Sequence, residues 1–204
     1  MTAAAHGRSS MAEDLMLLAL EPGSGRVRGR LRTRYALAAA ELMERELTGS
    51  VRPEADGRRV AVTGSSGTAG RALTRRWLAR HARGGAIARY GDHLAARGLV
   101  RARRRRLAGV LPVTRYPLLG HDAVAELRSR IEAAAQGDAD ATADLRALRL
   151  GALLAAVGLD GPVFPGPAFR GLRRRLAERA AADWAAREAR RALRAAMAAA
   201  SGGG

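Results

Sequence analysis

Residues 145–157, LRALRLGALLAAV, are apolar nearly all round. A helix with one polar face can rest on a surface, but a helix without one has to be surrounded. Each large apolar side chain left in water forgoes about 1.5–3 kcal/mol of burial. The segment therefore predicts a central helix enclosed by others, with Leu145, Leu148, Leu153, Leu154 and Val157 in the core. Its neighbours must offer apolar stripes at helical spacing, and the chain supplies them. Leu31, Tyr35, Ala38 and Leu42 line one face of a helix near 30–47 that Gly49 ends, and Val124, Leu127 and Ile131 do the same in AVAELRSRIEAAA. SMAEDLMLLAL sets Ser10 and Glu13 at capping-box spacing before an almost wholly apolar run. Asp138 or Asp140 suits the N-cap of the central helix. GPVFPGP breaks the pattern. Pro167 then fits the first position of a helix near 167–181, and Asp183 fits the cap of a last helix through about 198.

Two stretches depart from helical spacing. SVRPEADGRRVAV is two extended runs around Asp56-Gly57, a hairpin signal for residues 50–62. Helices near 67–82 and 86–97, joined at Gly84-Gly85, come next, and Gly98 caps the second. LVRARRRRLAGVLPVT then predicts a second hairpin near 99–114 with an arginine-rich tip. The expected fold is mainly α: a single helical domain over 10–199 with two small β-hairpins, between a disordered N-terminus (1–9) and a disordered tail (200–204). A chain of 204 residues is enough for one such core.

The sequence has no cysteine, which excludes a disulfide framework, thiolate chemistry and cysteine metal ligation. No apolar run reaches the roughly 18 residues of a membrane span, and the N-terminus lacks a secretory apolar stretch, so the chain reads as soluble and cytoplasmic. All 36 basic residues are arginine, and the net charge is +17. Residues 51–115 carry 16 arginines against three acids, a net of +13. If they share a face, it would attract anionic lipid, nucleic acid or an acidic protein.

Catalytic patterns dissolve in context. RVAVTGSSGTAGRAL, residues 59–73, contains T-G-x-x-G-x-x-G after a short strand, as a dinucleotide turn would. That strand, however, is one arm of a hairpin, no strand–helix alternation follows, and the window about 20 residues on holds Arg80, His81 and Arg83 instead of an acid. The expected structure there is a Gly/Ser loop leading into a helix. DADATAD at 138–144 resembles a phosphatase D-x-D-x-T, but it follows a helix end where a strand is required. His6, His81, His93 and His121 have no ligand spacing. The chain reads as a non-enzyme, with no cofactor and no metal.

AEDLMLLAL, PVTRYPL and DWAAREARRALRAAM, in this order, resemble the Golgi phosphoprotein family, in particular its bacterial members, over most of residues 11–198. The resemblance implies a mainly helical domain with a protruding β-hairpin. It also implies a non-enzymatic peripheral membrane protein on the cytoplasmic face, which binds phosphatidylinositol 4-phosphate in a basic pocket and recruits protein cargo. The hairpin near 50–62 would then touch membrane or a second subunit. In this register the pocket arginines of the family fall on Tyr35, Gly84 and Ile87, and Arg34, Arg83 and Arg89 stand beside them as headgroup ligands of a degenerate pocket.

The residues themselves point to the same region. Arg101 and the run Arg103, Arg104, Arg105 and Arg106 form a basic patch that can reach phosphates, to which guanidinium binds through a bidentate fork. Side chains alternate along a strand, so four consecutive arginines cannot share one face, and a hairpin tip would splay them outward. A helix followed by an arginine-rich hairpin also describes a winged-helix nucleic-acid binder, whose helix would offer only Arg89, His93 and Arg97. A protein scaffold or adaptor is the third reading.

Overall fold

The computed structural model describes residues 9–63, 69–83, 85–107, 111–137 and 141–202. The expectations for residues 1–8, Gly84, Asp138, Asp140 and the last two glycines lie outside them.

The first helix, α1 (Met11–Leu18), opens with the predicted box: the Glu13 amide donates to Ser10 Oγ at 3.2 Å, and the Ser10 amide donates to Glu13 Oε2 at 2.9 Å. Every α1 residue but Glu13 is buried. This helix is therefore as enclosed as the predicted central one. It packs on α2 (Arg30–Leu47), α4 (Ala86–Ala96), α5 (His121–Gln136) and α6 (Ala141–Val157).

The central helix α6 is surrounded by α2, α5, α8 (Arg170–Ala182) and α9 (Trp184–Ser201). Leu153, Leu154 and Val157 are buried as expected, and Leu148 is partly buried. Leu145 is not: it is 46% exposed, on the rim of an apolar cleft of about 220 Å³ that Leu148, Ala152 and Ala182 also line. A segment apolar on all sides does not specify which side faces the rim. Gly151 sets the spacing of this layer. A Cβ there would stand 2.7 Å from both Ile131 of α5 and Leu176 of α8, so only glycine lets three helices approach this closely.

One polar residue sits inside α6. Arg149 is 9% exposed and lies between Glu46 Oε2 at 2.5 Å and Asp183 Oδ2 at 2.9 Å. Trp184 Nε1 donates to the other Glu46 oxygen at 2.8 Å. Asp183 also caps α9, as predicted, by accepting from the Ala186 amide. Before α8, the breaker segment folds into a short α7 (Asp160–Val163) and a 3₁₀ turn at Pro167–Phe169, so the α-helix begins at Arg170, three residues later than expected.

The first hairpin becomes a three-stranded antiparallel sheet of β1 (Val51–Pro53), β2 (Arg59–Thr63) and β3 (Ala69–Leu73), in that order. The Asp56-Gly57 turn forms, with Gly57 at φ +69° and the Arg58 amide donating to Asp56 Oδ1. Residues 69–73 were expected to be helical but pair with β2, and α3 (Thr74–Ala82) starts only at Thr74. AGRAL has little preference of its own, whereas the free edge of β2 supplies unpaired N–H and C=O groups that a neighbouring strand satisfies. The glycine-rich segment thus joins two antiparallel strands instead of leading from strand to helix, and its residues 64–68 lie outside the described residues. The second hairpin is β4 (Arg103–Leu107) with β5 (Leu111–Arg115), paired from Arg103↔Arg115 to Leu107↔Leu111. Among the described residues no helix is long and apolar enough to cross a membrane.

The two ends of the α6 stripe should respond differently to truncation. Leu154→Ala should cost about 2–5 kcal/mol, whereas Leu145→Ala should change stability by less than about 0.5 kcal/mol. Urea unfolding midpoints of the two variants check this. Equal costs would show that Leu145 is covered.

Candidate anion-binding surface

The β4–β5 ribbon is held at its base. Val100 and Leu118 form an isolated antiparallel bridge, the Arg101 amide donates to Pro117 O at 2.9 Å, and the Tyr116 amide donates to Gly25 O at 2.7 Å in the α1–α2 loop. The Tyr116 ring, 1% exposed, lies directly on Gly91 of α4, where a Cβ would come within 2.3 Å of it. Burial, the largest cause, together with the nearby Asp92 raises the Tyr116 phenol above its usual range, while Arg104 and Arg30 oppose the shift. The PVTRYPL stretch is therefore the clamp that fixes the ribbon to the helices. Above this base neither strand packs extensively on another element.

The arginine run lies along β4, not at the tip; tip residues 108–110 are outside the described residues. Alternation sets Arg103 on one face of the ribbon and Arg104 and Arg106 on the other, and both faces carry an exposed arginine. Arg103, Arg104 and Arg106 are exposed, as is Arg101 at the foot of the strand, and Arg105 is backbone-paired with Val113. Arg104, 75% exposed, approaches Asp92 of α4 at 3.6 Å, a solvated pair that holds it weakly. The structure adds a residue that sequence reading missed. Arg115 of β5 is exposed and stands directly opposite Arg103. Like charges opposed across a ladder are destabilising, and a bound anion would relieve them. Only the hairpin register reveals this pair.

The predicted headgroup arginines divide. Arg34 Nε donates to Ala82 O at 2.5 Å, at the end of α3, so its guanidinium closes that helix beside Arg83. Arg83 is exposed in the position that follows α3. Arg89 instead pairs with Glu41 of α2, which also accepts from the Tyr90 hydroxyl at 2.7 Å. Burial first, and then the Glu41 hydrogen bond, drive the Tyr90 phenol far above its usual range. Arg89 and Glu41 line a cleft of about 340 Å³ with Ser10, Glu44, Arg45 and Tyr90. The two carboxylates in it offset the two arginines. Arg34 and Arg83 thus come together at one end of α3, and Arg89 stands apart, two turns further along α2. Tyr35 and Ile87, which the resemblance set in the register of the pocket, are buried in the core.

His93 of α4 and Arg97, at its C-cap, also turn toward a carboxylate. Arg97 donates to Glu13 Oε2 at 3.0 Å, and His93 Nδ1 lies 3.8 Å from Glu13 Oε1. His81 stacks on Trp77 with ring centroids 3.6 Å apart.

Gly91→Ala should displace the Tyr116 ring and loosen the base of the ribbon. Amide hydrogen exchange at residues 103–107, 111 and 113–115 should accelerate well beyond any change in α6. Unaltered protection would mean that Tyr116 does not hold the hairpin.

A family model described as Golgi phosphoprotein 3 (GPP34) matches residues 11–196. No curated protein matches the sequence. The matched span starts at the first residue of α1 and runs into α9, so it takes in both sheets, the Tyr116 clamp and the arginine strand. The resemblance read at AEDLMLLAL, PVTRYPL and DWAAREARRALRAAM is thereby confirmed over nearly the whole chain, and the protein belongs to the Golgi phosphoprotein 3 (GPP34) family.

Proposed function

We propose that this protein is a non-enzymatic peripheral membrane protein that docks on anionic phospholipid through its basic surface. The observation that carries this reading is the arginine strand, with exposed arginines on both faces of a ribbon clamped at its base. Guanidinium groups fixed on a ribbon present their forks to lipid phosphates without first ordering a loop. Each basic residue near an anionic bilayer contributes about 1 kcal/mol, so the four arginines of β4 contribute about 4 kcal/mol. That energy suits reversible attachment. Anionic lipid is concentrated in the cytoplasmic leaflet, which places docking on that face.

Phosphatidylinositol 4-phosphate enters through the family resemblance. With Arg34 engaged at Ala82 and Arg89 engaged at Glu41, headgroup identity contributes less than surface charge. Protein cargo, and a second copy at the sheet containing residues 50–62, belong to the same reading on the strength of the family alone. The nucleic-acid alternative required α4 as a reading helix. Its Arg89, His93 and Arg97 face Glu41 and Glu13 instead, which counts against it.

Co-sedimentation with vesicles tests the proposal. Replacing Arg103, Arg104, Arg105 and Arg106 together with Ser should lower affinity for anionic vesicles by roughly a thousandfold and leave thermal unfolding unchanged. Binding of the parent should fall between about 0.1 and 0.5 M salt, as the Debye length drops below roughly 5 Å. Phosphatidylserine and phosphatidylinositol 4-phosphate at matched charge should bind alike. Undiminished binding by the quadruple variant would overturn the mechanism.

Glu41→Gln provides a gain-of-binding test. The amide still accepts from Tyr90 but no longer neutralises Arg89, so vesicle affinity should rise by about fivefold, one freed basic residue's worth. No rise would mean that Arg89 lies away from the docked face.

A further inference from the structure

A basic cleft lies at the end of the molecule away from the ribbon. The ribbon is clamped to the loop that precedes α2, whereas the three-stranded sheet follows the last residue of α2. The 18 residues of that helix separate the two by about 27 Å. The cleft encloses about 320 Å³ and is lined by Arg58, Leu73, Arg75, Glu188 and Arg191. These residues come from three separate segments: the β1–β2 turn, the β3–α3 junction and α9.

We infer that this cleft is a binding site for a phosphate monoester. Its lining carries three arginines against one glutamate, a net of +2. The glutamate is already engaged: Glu188 is buried and accepts from Arg191 at 2.5 Å. Arg58 has only a 3.9 Å contact with Asp56, between two side chains that are mostly solvated. The guanidinium of Arg75 has no partner among the described residues.

The backbone contributes in the same place. Leu73 and Arg75 flank the start of α3, whose first turn has neither a side-chain cap nor an acidic residue. That start is fixed in position: the Thr74 amide donates to Arg58 O at 2.9 Å, and its hydroxyl donates to Gly57 O at 2.7 Å. An uncapped helix N-terminus with guanidinium groups around it is suited to a tetrahedral dianion, which can accept from several donors at once where a carboxylate has two oxygens. The volume admits a monoester of sugar or glycerol size and excludes a duplex. Leu73, 40% exposed at the rim, offers contact to the carbon part of an ester, which inorganic phosphate lacks.

The probe is glycerol 3-phosphate, titrated calorimetrically into the full chain with glycerol as control. The parent should bind the ester and not glycerol. Arg75→Ser, at an exposed position, should weaken binding by about tenfold, the loss of one charged hydrogen-bonding partner. Leu73→Asp, which sets a carboxylate at the rim, should weaken it at least as much. The quadruple β4 variant should retain full affinity for the ester, so this site stands or falls separately from membrane docking. Vesicles of phosphatidic acid and of phosphatidylserine at matched charge distinguish the source of the phosphate. An Arg75-dependent preference for phosphatidic acid assigns a lipid headgroup, and Arg75 dependence with the free ester alone assigns a soluble metabolite. Equal affinity of parent and Arg75→Ser for glycerol 3-phosphate, or no binding by the parent, would overturn the assignment.

Discussion

Arg149 is the interaction on which the arrangement of the helices depends. A guanidinium placed in the apolar centre of α6 is tolerable only because Glu46 and Asp183 reach it from two other helices. Removing one partner of a buried pair leaves the other charged and desolvated, at a cost of about 3–5 kcal/mol. The triad therefore ties the last turn of α2 to the first turn of α9 across α6. It extends outward as well. Glu46 also accepts from Trp184, and the Trp184 side chain lies against Gly57, where a Cβ would stand 3.0 Å away. Gly57 in turn accepts from Thr74, at the head of α3. A continuous line of contacts thus runs from the core to the cleft beside Arg75.

The other end of α2 is organised by shape instead of charge. The Tyr116 ring fills the space that a side chain at position 91 would need, and Gly25 accepts from the backbone beside it. This clamp holds β4 and β5 at their base, and both faces of the pair carry exposed arginines. The body and its projections consequently use arginine in opposite ways. In the body, Arg89, Arg97, Arg146 and Arg149 are matched to Glu41, Glu13, Glu44 and Glu46. Among the described residues of the ribbon and the sheet there are few carboxylates, so less of the positive charge there is neutralised. Two places where positive charge exceeds negative thus lie at opposite ends of one helix.

What the sequence determined by itself is the existence of the long helices and the caps of the first and last of them. Periodic apolar residues, the Ser10–Glu13 box and Asp183 act within a few residues of one another, so the local chain carries all the information. The all-round apolar character of 145–157 likewise required an enclosed helix. The family was legible for the same reason, in short stretches such as PVTRYPL. Only tertiary structure decided the rest, because each remaining feature is a pairing between distant segments. β3 exists because the edge of β2 was open, against the weak preference of AGRAL. Leu145 faces a rim because of where α8 ends and α9 begins beside α6. Arg89 is neutralised because α4 lies across α2 at Glu41, 48 residues earlier. Arg58, Arg75 and Arg191 share one cleft because a sheet, a helix start and the last helix converge there. Charge can be counted along a chain, but whether a given arginine is paired or available depends on which carboxylate the fold brings within a few ångströms.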